Sequence, residues 1–235
     1  MCGRPRRCDH PTDGLTGIDA LLLITSGHDL AAQDATVSRV AKASGVAHLV
    51  KRSSYDAREA VGTGVWQARG QAAIRASGIA FTFVQPSGFM SNALFWASTI
   101  KAEGVVRTAT GDGNIPFIHP QDIADVATEA LMSEAFRGHS LPITGAEALS
   151  YAEMAAKIGA AIGRLVRFEP ISEGESRRQQ VARNVAPALI GARLSIFRAI
   201  QDGRLATVTD TVERVLGRKA ITFDQWSTEN AEAFR

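Results

Sequence analysis

Long apolar runs are scarce in this chain of 235 residues. The longest candidate, Ala20 to Ile24, has the length of a buried strand, whereas a bilayer-spanning helix needs about 20 apolar residues. The opening segment contains arginines but no apolar stretch of the kind found in secretory signals. We therefore expect no membrane segment and a cytoplasmic location.

Cysteine is nearly absent, since only Cys2 and Cys8 occur and both lie in the opening segment. A disulfide, or half of a metal site with His10, is conceivable for this pair. No second ligand pair lies at zinc spacing, so free cytosolic thiols are the simpler interpretation. The sequence thus predicts no metal site.

Net charge is also small, at +2 from 26 basic and 24 acidic residues. The basic residues are scattered and form no stripe, so we expect no nucleic-acid partner. Hydrophobic residues make up 45% and charged residues 21%, which is typical of a globular protein. The length allows one large domain or two small ones.

Strand and helix patterns alternate through the first half of the chain. Ile18 to Ser26 is a continuous apolar run, typical of a strand covered on both faces. A helix over Leu30 to Ala43 and a strand over His48 to Lys51 follow. A helix from Val65 and a strand over Phe81 to Val84 repeat the unit. The pattern predicts an α/β fold with a Rossmann-like parallel sheet.

The later pattern is looser. Helices are predicted over Leu94 to Lys101 and Gln121 to Met132, and a last strand over His139 to Ile143. Capping boxes at Ser150 and Thr222 each predict the start of a helix. The predicted organisation is an irregular segment (1–16), a partial Rossmann-like domain (17–144) and a smaller, mostly helical α/β cap (145–235).

Small residues follow three of the predicted strands, where doubly wound sheets bind ligands. Glycine and small hydroxyls let a flat ligand approach the backbone, but the same residues also make ordinary turns. The residues alone leave both interpretations open. The candidates are Thr25, Ser26 and Gly27, then Ser53 and Ser54, and finally Pro86, Ser87, Gly88 and Phe89.

Five segments from Gly17 onward resemble the NmrA-like family of atypical short-chain dehydrogenases, relatives of the isoflavone reductases. The resemblance implies a Rossmann fold that binds NADPH, the commoner cofactor, or NADH. Family members either reduce small molecules such as quinones, dyes and phenylpropanoids or act as nucleotide-sensing regulators. The segments are IDALLLITS, ASGVAHLVKRSS, AAIRASGIAFTFVQPSGFMSN, GDGNIPFIHPQDIADVATEAL and LPITGAEALSYAEMA.

The resemblance also implies roles for the strand ends. Thr25 to Gly27 would lie near the adenosine or pyrophosphate, Ser53 and Ser54 near the nicotinamide ribose, and Pro86 to Phe89 around the nicotinamide. Four residues could wall the substrate cavity, although such a cluster is also ordinary core material. They are Phe89, Met90, Phe95 and Trp96.

The glycine-rich phosphate loop of the resembled family does not occur in this sequence. Gly62-Thr63-Gly64 and Gly111-Asp112-Gly113 follow no suitable strand and are better interpreted as turns. The resembled family places the loop before Gly17, where only 16 residues stand. We therefore expect an incomplete sheet without its first strands, and NADP or NAD binding that is weak or lost.

The family's proton donors are also replaced. Typical short-chain dehydrogenases use Tyr-x-x-x-Lys, and the matching positions are Thr63 and Gln67, with Gln71 one turn later. The Gln67 amide can orient a substrate but cannot transfer a proton. His119, just before a helix, is the remaining candidate acid, although such a residue is often a solvated turn residue. Lys51 lies inside a strand and is interpreted as structural.

The sequence therefore predicts an NAD(P)H-dependent oxidoreductase for a small quinone- or enone-like molecule, impaired in cofactor binding. The alternative is a non-catalytic regulator that senses nucleotides or binds a protein. Without the family's first strand, the apolar strand from Ala20 becomes a sheet edge, which predicts a homodimer through that edge.

Overall fold

The computed structural model describes residues 13–235, so Cys2 and Cys8 lie outside the described residues. Of the predicted irregular segment, it describes the end, where Asp13–Leu15 forms a 3₁₀ turn. The strands are β1 (Ala20–Leu23), β2 (His48–Arg52), β3 (Phe81–Pro86), β4 (Val105–Thr108), β5 (Asn114–Ile115), β6 (Ser140–Ile143), β7 (Leu149–Ser150) and β8 (Arg167–Pro170).

Helices connect these strands and form the second half of the chain. The α-helices are α1 (Leu30–Ala43), α2 (Asp56–Glu59), α3 (Gly64–Ser77), α4 (Ala97–Glu103), α5 (Pro120–Met132), α6 (Tyr151–Ile162), α7 (Glu173–Ala182), α8 (Pro187–Gln201), α9 (Thr211–Leu216) and α10 (Phe223–Glu229). Further 3₁₀ helices are Met90–Trp96, Glu134–Phe136 and Ala231–Phe234.

The main sheet has the order β1-β2-β3-β6, and every pairing in it is parallel. This confirms the predicted α/β class. Because the strands are parallel, the carboxyl ends of β2 and β3 lie side by side, with Arg52 opposite Val84 in register. The loops that follow these two strands therefore begin at the same edge of the sheet.

Helices cover the sheet on both faces. Leu49 and Phe83 pack into one cluster with Ile74 of α3. Val50 and Val84, which alternate with them, pack on the other face against α5. This period of two is what a strand buried between helices requires.

β1 is an edge strand, because among residues 13–235 it pairs only with β2. Leu22 lies in register with Val50, on the face that α5 covers, yet 38% of Leu22 is exposed. Ile24 is 61% exposed. The prediction that this run is covered on both faces is therefore wrong for the face of Leu22 and Ile24, which α5 covers only in part.

A buried ion pair joins the strands to α1. Lys51 Nζ lies 2.8 Å from Asp34 Oδ2, and both side chains are fully buried. Lys51 also donates to Thr25 Oγ1 at 2.8 Å, and Thr25 donates to Asp34 Oδ1 at 2.7 Å. Burial lowers the pKa of Lys51, an effect that the hydrogen bond with Asp34 opposes. These contacts agree with a structural role for Lys51.

Two strand pairs connect the predicted Rossmann-like region (17–144) with the predicted cap (145–235). β4 lies before residue 144, yet it pairs in parallel with β8. β5 pairs in the same way across the boundary with β7, here antiparallel. Both capping boxes are present, Ser150 with Glu153 and Thr222 with Gln225. The smaller region is therefore attached to the larger one through strand pairs as well as through the chain.

None of the helices described between residues 13 and 235 combines the length and the apolar character that crossing a bilayer requires.

Removing Lys51 should expose the cost of the buried pair. We expect Lys51→Met to lower the free energy of unfolding by about 3 to 5 kcal/mol, because Asp34 is left as an uncompensated buried charge. Urea denaturation measures this. The double variant Lys51→Met with Asp34→Leu should recover much of the loss, and Lys42→Met, at an exposed lysine, should cost less than about 1 kcal/mol. If Lys51→Met lost no more stability than Lys42→Met, the buried pair would not contribute as we propose.

The predicted homodimer through the β1 edge also remains to be tested. We expect the chain to elute from gel filtration as a concentration-dependent dimer, and Ile24→Lys to shift it toward the monomer by placing a charge beside the edge. Val181→Lys, at an apolar residue of α7 that is 59% exposed, is the control. A wild-type chain that is monomeric at every concentration would refute the dimer.

Candidate functional site

A cavity of about 690 Å³ opens at the carboxyl ends of β2 and β3. Helices α7 and α8 form its opposite wall. Its size is that of a pocket for a small organic ligand. The residues predicted from the sequence that line it are Ser53, Ser54, Gln67, Ser87, Gly88, Phe89, Phe95 and Trp96.

Other predicted site residues lie elsewhere. Thr25 is buried in the ion pair, while Ser26 and Gly27 are exposed in the loop before α1. Pro86 and Met90 are buried beside the cavity but do not line it. The predicted group at the end of β1 is thus separated from the groups at the ends of β2 and β3.

His119 is held in a structural arrangement outside the cavity. Its Nδ1 accepts a hydrogen bond from the Gln121 backbone at 3.0 Å, so the ring caps α5. Its Nε2 lies 3.0 Å from Glu229 Oε2. Because both ring nitrogens are engaged and the ring does not line the cavity, the structure gives no support to its role as a catalytic acid.

Three glutamines and a serine lie buried at the cavity or beside it. Gln71 Nε2 donates to Ser53 Oγ at 2.6 Å, and Gln85 Nε2 donates to Gln71 Oε1 at 3.3 Å. Gln67 faces the cavity, and its buried Oε1 has no partner among the described residues. A buried acceptor without a donor is costly, so Gln67 is poised to accept a hydrogen bond from a ligand.

The bend after β3 is fixed by its neighbours. Ser87 donates from its backbone to Ile143 at 3.0 Å, and Ile118 donates to the Gly88 carbonyl at 2.8 Å. A Cβ on Gly88 would lie 2.4 Å from the Phe117 ring. Glycine is therefore required here so that this ring can pack against the bend and support the cavity floor.

Asp56 and Tyr151 line the cavity and were missed by the sequence reasoning. Burial raises the pKa of Asp56 from 3.8 to about 6, against the effect of a Ser54 hydrogen bond. Burial, and then the Asp56 charge, raise the pKa of Tyr151 above its ordinary value. The only available signal for Asp56 was an acidic residue two places after Ser54, in the loop that follows β2.

The mouth of the cavity is cationic. Arg183 and Arg193 line it, and neither guanidinium has a carboxylate partner within residues 13–235. Arg107 also lines it but is paired with Glu103 and Glu169 at 2.7 and 2.8 Å. Unpaired guanidinium groups at a pocket are suited to a carboxylate, sulfonate or phosphate.

The residues present fit the nicotinamide half of an NAD(P) site. The unpartnered Gln67 Oε1 can accept from a ribose hydroxyl or carboxamide, and the cavity lies where doubly wound sheets bind nucleotides. The first helix offers no such fit for a pyrophosphate, because Asp29 stands as its N-cap. In the part of the chain that the structure describes, no three His, Cys, Asp or Glu side chains are grouped to hold a metal.

No family model matches the sequence. Among proteins of known name, the chain is 36% identical over 225 residues to (4-alkanoyl-5-oxo-2,5-dihydrofuran-3-yl)methyl phosphate reductase of Streptomyces griseus subsp. griseus. It is 34% identical over 223 residues to the NAD(P)H azoreductase of Xenophilus azovorans. Each match covers 94% of this chain and 78% of the relative.

Solved structures share the fold. The NADPH-dependent quinone oxidoreductase of Escherichia coli, in complex with NADPH, superposes with a TM-score of 0.84 at 23% identity, over 93% of this chain and 78% of that one. Triphenylmethane reductase of a Citrobacter species, in complex with NADP(H), gives 0.80 at 21% identity, over 94% and 79%. At this identity the structures establish the fold alone.

The sequence matches and the parallel sheet agree with each other and with the resemblance carried by the segments after Gly17. The chain belongs to the NmrA-like, isoflavone-reductase-related family of NAD(P)H-dependent reductases.

Proposed function

We propose that this protein is an NAD(P)H-dependent oxidoreductase that reduces a small quinone- or enone-like molecule in the cavity beside β2 and β3. The observation that carries the proposal is the buried, unpartnered Gln67 Oε1 facing a cavity of about 690 Å³ in a chain of this family. Because this chemistry draws on a pool of reduced nucleotide, we place the protein in the cytoplasm.

Residues of the chain would hold the two ligands on different walls. Gln67, Ser53 and Ser54 are placed to bind the ribose and carboxamide of a nicotinamide, which supplies hydride when bound. Phe89 and Trp96 supply apolar surface against which a flat substrate can pack. Gln71 positions the Ser53 hydroxyl through its 2.6 Å hydrogen bond.

We further propose that this chain binds its cofactor weakly. A pyrophosphate is normally bound by backbone N–H groups of a glycine-rich turn at a helix N-terminus. Within the 235 residues no such turn occurs, and the carboxylate of Asp29 stands at the start of α1. Binding would therefore depend on the nicotinamide half. No specific observation favours the alternative of a non-catalytic regulator.

The unpaired arginines point to an acidic substituent on the substrate. Arg183 follows α7 directly and Arg193 lies in α8, and both line the cavity. The substrate named for the Streptomyces relative carries a phosphate on an unsaturated lactone. We propose that this chain likewise prefers an electron-poor double bond or quinone that carries an anionic group.

Titration with NADPH tests the cofactor proposal. We expect weak, saturable binding by nucleotide fluorescence and a small rise in melting temperature. Gln67→Ala should weaken binding about tenfold, the value of one hydrogen bond to a buried acceptor. Gln33→Ala, at an exposed glutamine of α1, should have no effect. If wild type shows neither saturation nor a thermal shift, the proposal fails.

Comparing a sulfonated with a neutral quinone tests the proposed anionic substituent. For a naphthoquinone sulfonate, Arg193→Gln should raise KM about tenfold by removing a charge-assisted contact, whereas KM for neutral menadione should stay unchanged. The matched control is Arg198→Gln on the same helix, since Arg198 points away and pairs with Glu173. If Arg193→Gln changed KM equally for both quinones, Arg193 would stabilise the cavity wall and would not bind the anionic group.

A further inference from the structure

The cavity contains a single carboxylate. Asp56, at the start of α2, lines it, and no other Asp or Glu and no His of residues 13–235 does. The Asp56 backbone N–H donates to Ser54 Oγ at 3.2 Å, which fixes the residue just beyond the end of β2. Asp56 forms no salt bridge with any described residue, so apart from the Ser54 hydroxyl no described partner competes with a ligand for its carboxyl group.

We propose that Asp56 is the acid that protonates the substrate during reduction. The positions that carry Tyr and Lys in typical short-chain dehydrogenases hold Thr63 and Gln67 here, and neither side chain can deliver a proton at neutral pH. Asp56 lines the same cavity as Ser54 and Thr63. It is therefore the cavity's own replacement for the missing phenol, and this inference rests on the proposed reductase function.

The surroundings of Asp56 keep its proton available. Burial desolvates the carboxyl group and raises its pKa to about 6, although a hydrogen bond with Ser54 acts in the opposite direction. An acid with a pKa near the working pH is the most effective proton donor. The charged or titratable side chains that face the same cavity are Arg52 of β2, Arg107 of β4, Tyr151 of α6, Arg183 after α7 and Arg193 of α8.

Tyr151 is the group most directly coupled to Asp56. The Asp56 charge contributes to the raised pKa of this phenol, so the phenol stays protonated across the physiological range. Trp96 and Phe117 pack on the Tyr151 ring, with centroids 5.2 and 5.9 Å away, and hold it in place. Tyr151 is therefore a fixed, neutral neighbour of Asp56, and its raised pKa makes it a weaker proton donor than Asp56.

The proposed step balances. A reduced nicotinamide, held by Gln67, Ser53 and Ser54, would supply a hydride, which is two electrons with one proton, to a quinone or enone. The carboxyl group of Asp56 gives the second proton to the substrate oxygen, where negative charge develops. The carboxylate that remains takes a proton from bulk water through the open mouth of the cavity.

A pH profile of menadione reduction by the full chain with NADPH tests this step. For wild type, kcat/KM should fall about tenfold per pH unit above about 6, because the protonated fraction of Asp56 falls at that rate. Asp56→Asn should be at least tenfold slower at pH 5.5 and nearly independent of pH. Asp112→Asn, at an exposed carboxylate outside the cavity, should match wild type.

Two measurements without turnover make the outcome unambiguous. Menadione binding, followed by tryptophan fluorescence without cofactor, should tighten below pH 6 in wild type and not in Asp56→Asn. Since the pKa of Asp56 rises on folding, the folded state binds more protons between pH 3.8 and about 6, and stability falls as pH rises through that window. Asp56→Asn should therefore match wild type in melting temperature at pH 4 and exceed it at pH 7.5.

The possible failures can be told apart. If wild type neither binds NADPH nor oxidises it, the proposed function fails, while the menadione and melting measurements still decide the role of Asp56. If NADPH oxidation proceeds and Asp56→Asn keeps the wild-type rate and pH profile, the function stands and Asp56 is not the acid.

Discussion

The buried ion pair between Lys51 and Asp34 is the contact on which the geometry of the site depends. It ties β2 to α1, and a Cβ on Gly70 of α3 would lie only 2.0 Å from Asp34 Oδ2, so α3 must also pack closely there. Gln67 precedes Gly70 by one turn, and Ser53 follows Lys51 by two residues. The pair thus sets the positions of the helix and the strand end that together face the cavity.

Local sequence signals predicted the elements well. Two helices begin and end where the apolar period and the capping signals place them, Leu30–Ala43 and Tyr151–Ile162. Parallel pairing follows from strand, helix and strand at short spacing, and the structure confirms it. The sequence also predicted that the bends after β2 and β3 lie at the same edge of the sheet. This follows from parallel pairing, because neighbouring parallel strands have their carboxyl ends at one edge.

The site itself was only half predictable. Asp56 and Tyr151 are 95 positions apart in the sequence. No periodic pattern predicts that α6 places Tyr151 in the same cavity as Asp56. The apolar period of α1 does not predict that Asp34 is buried. Asp34 is buried because its charge is paired with that of Lys51. Thr25 does not line the cavity because its hydroxyl is used by this ion pair, and His119 does not line it because its ring caps α5 and contacts Glu229. Such pairings are set by tertiary packing.

The strand pair between β4 and β8 has a mechanical consequence. Bending the cap away from the sheet about a hinge would break the backbone hydrogen bonds of this ladder, so the two regions move together. The elements free to shift are those that cover the cavity without joining a sheet, α7 and the start of α8. Any widening of the cavity mouth would therefore involve these two helices and leave both strand pairs intact.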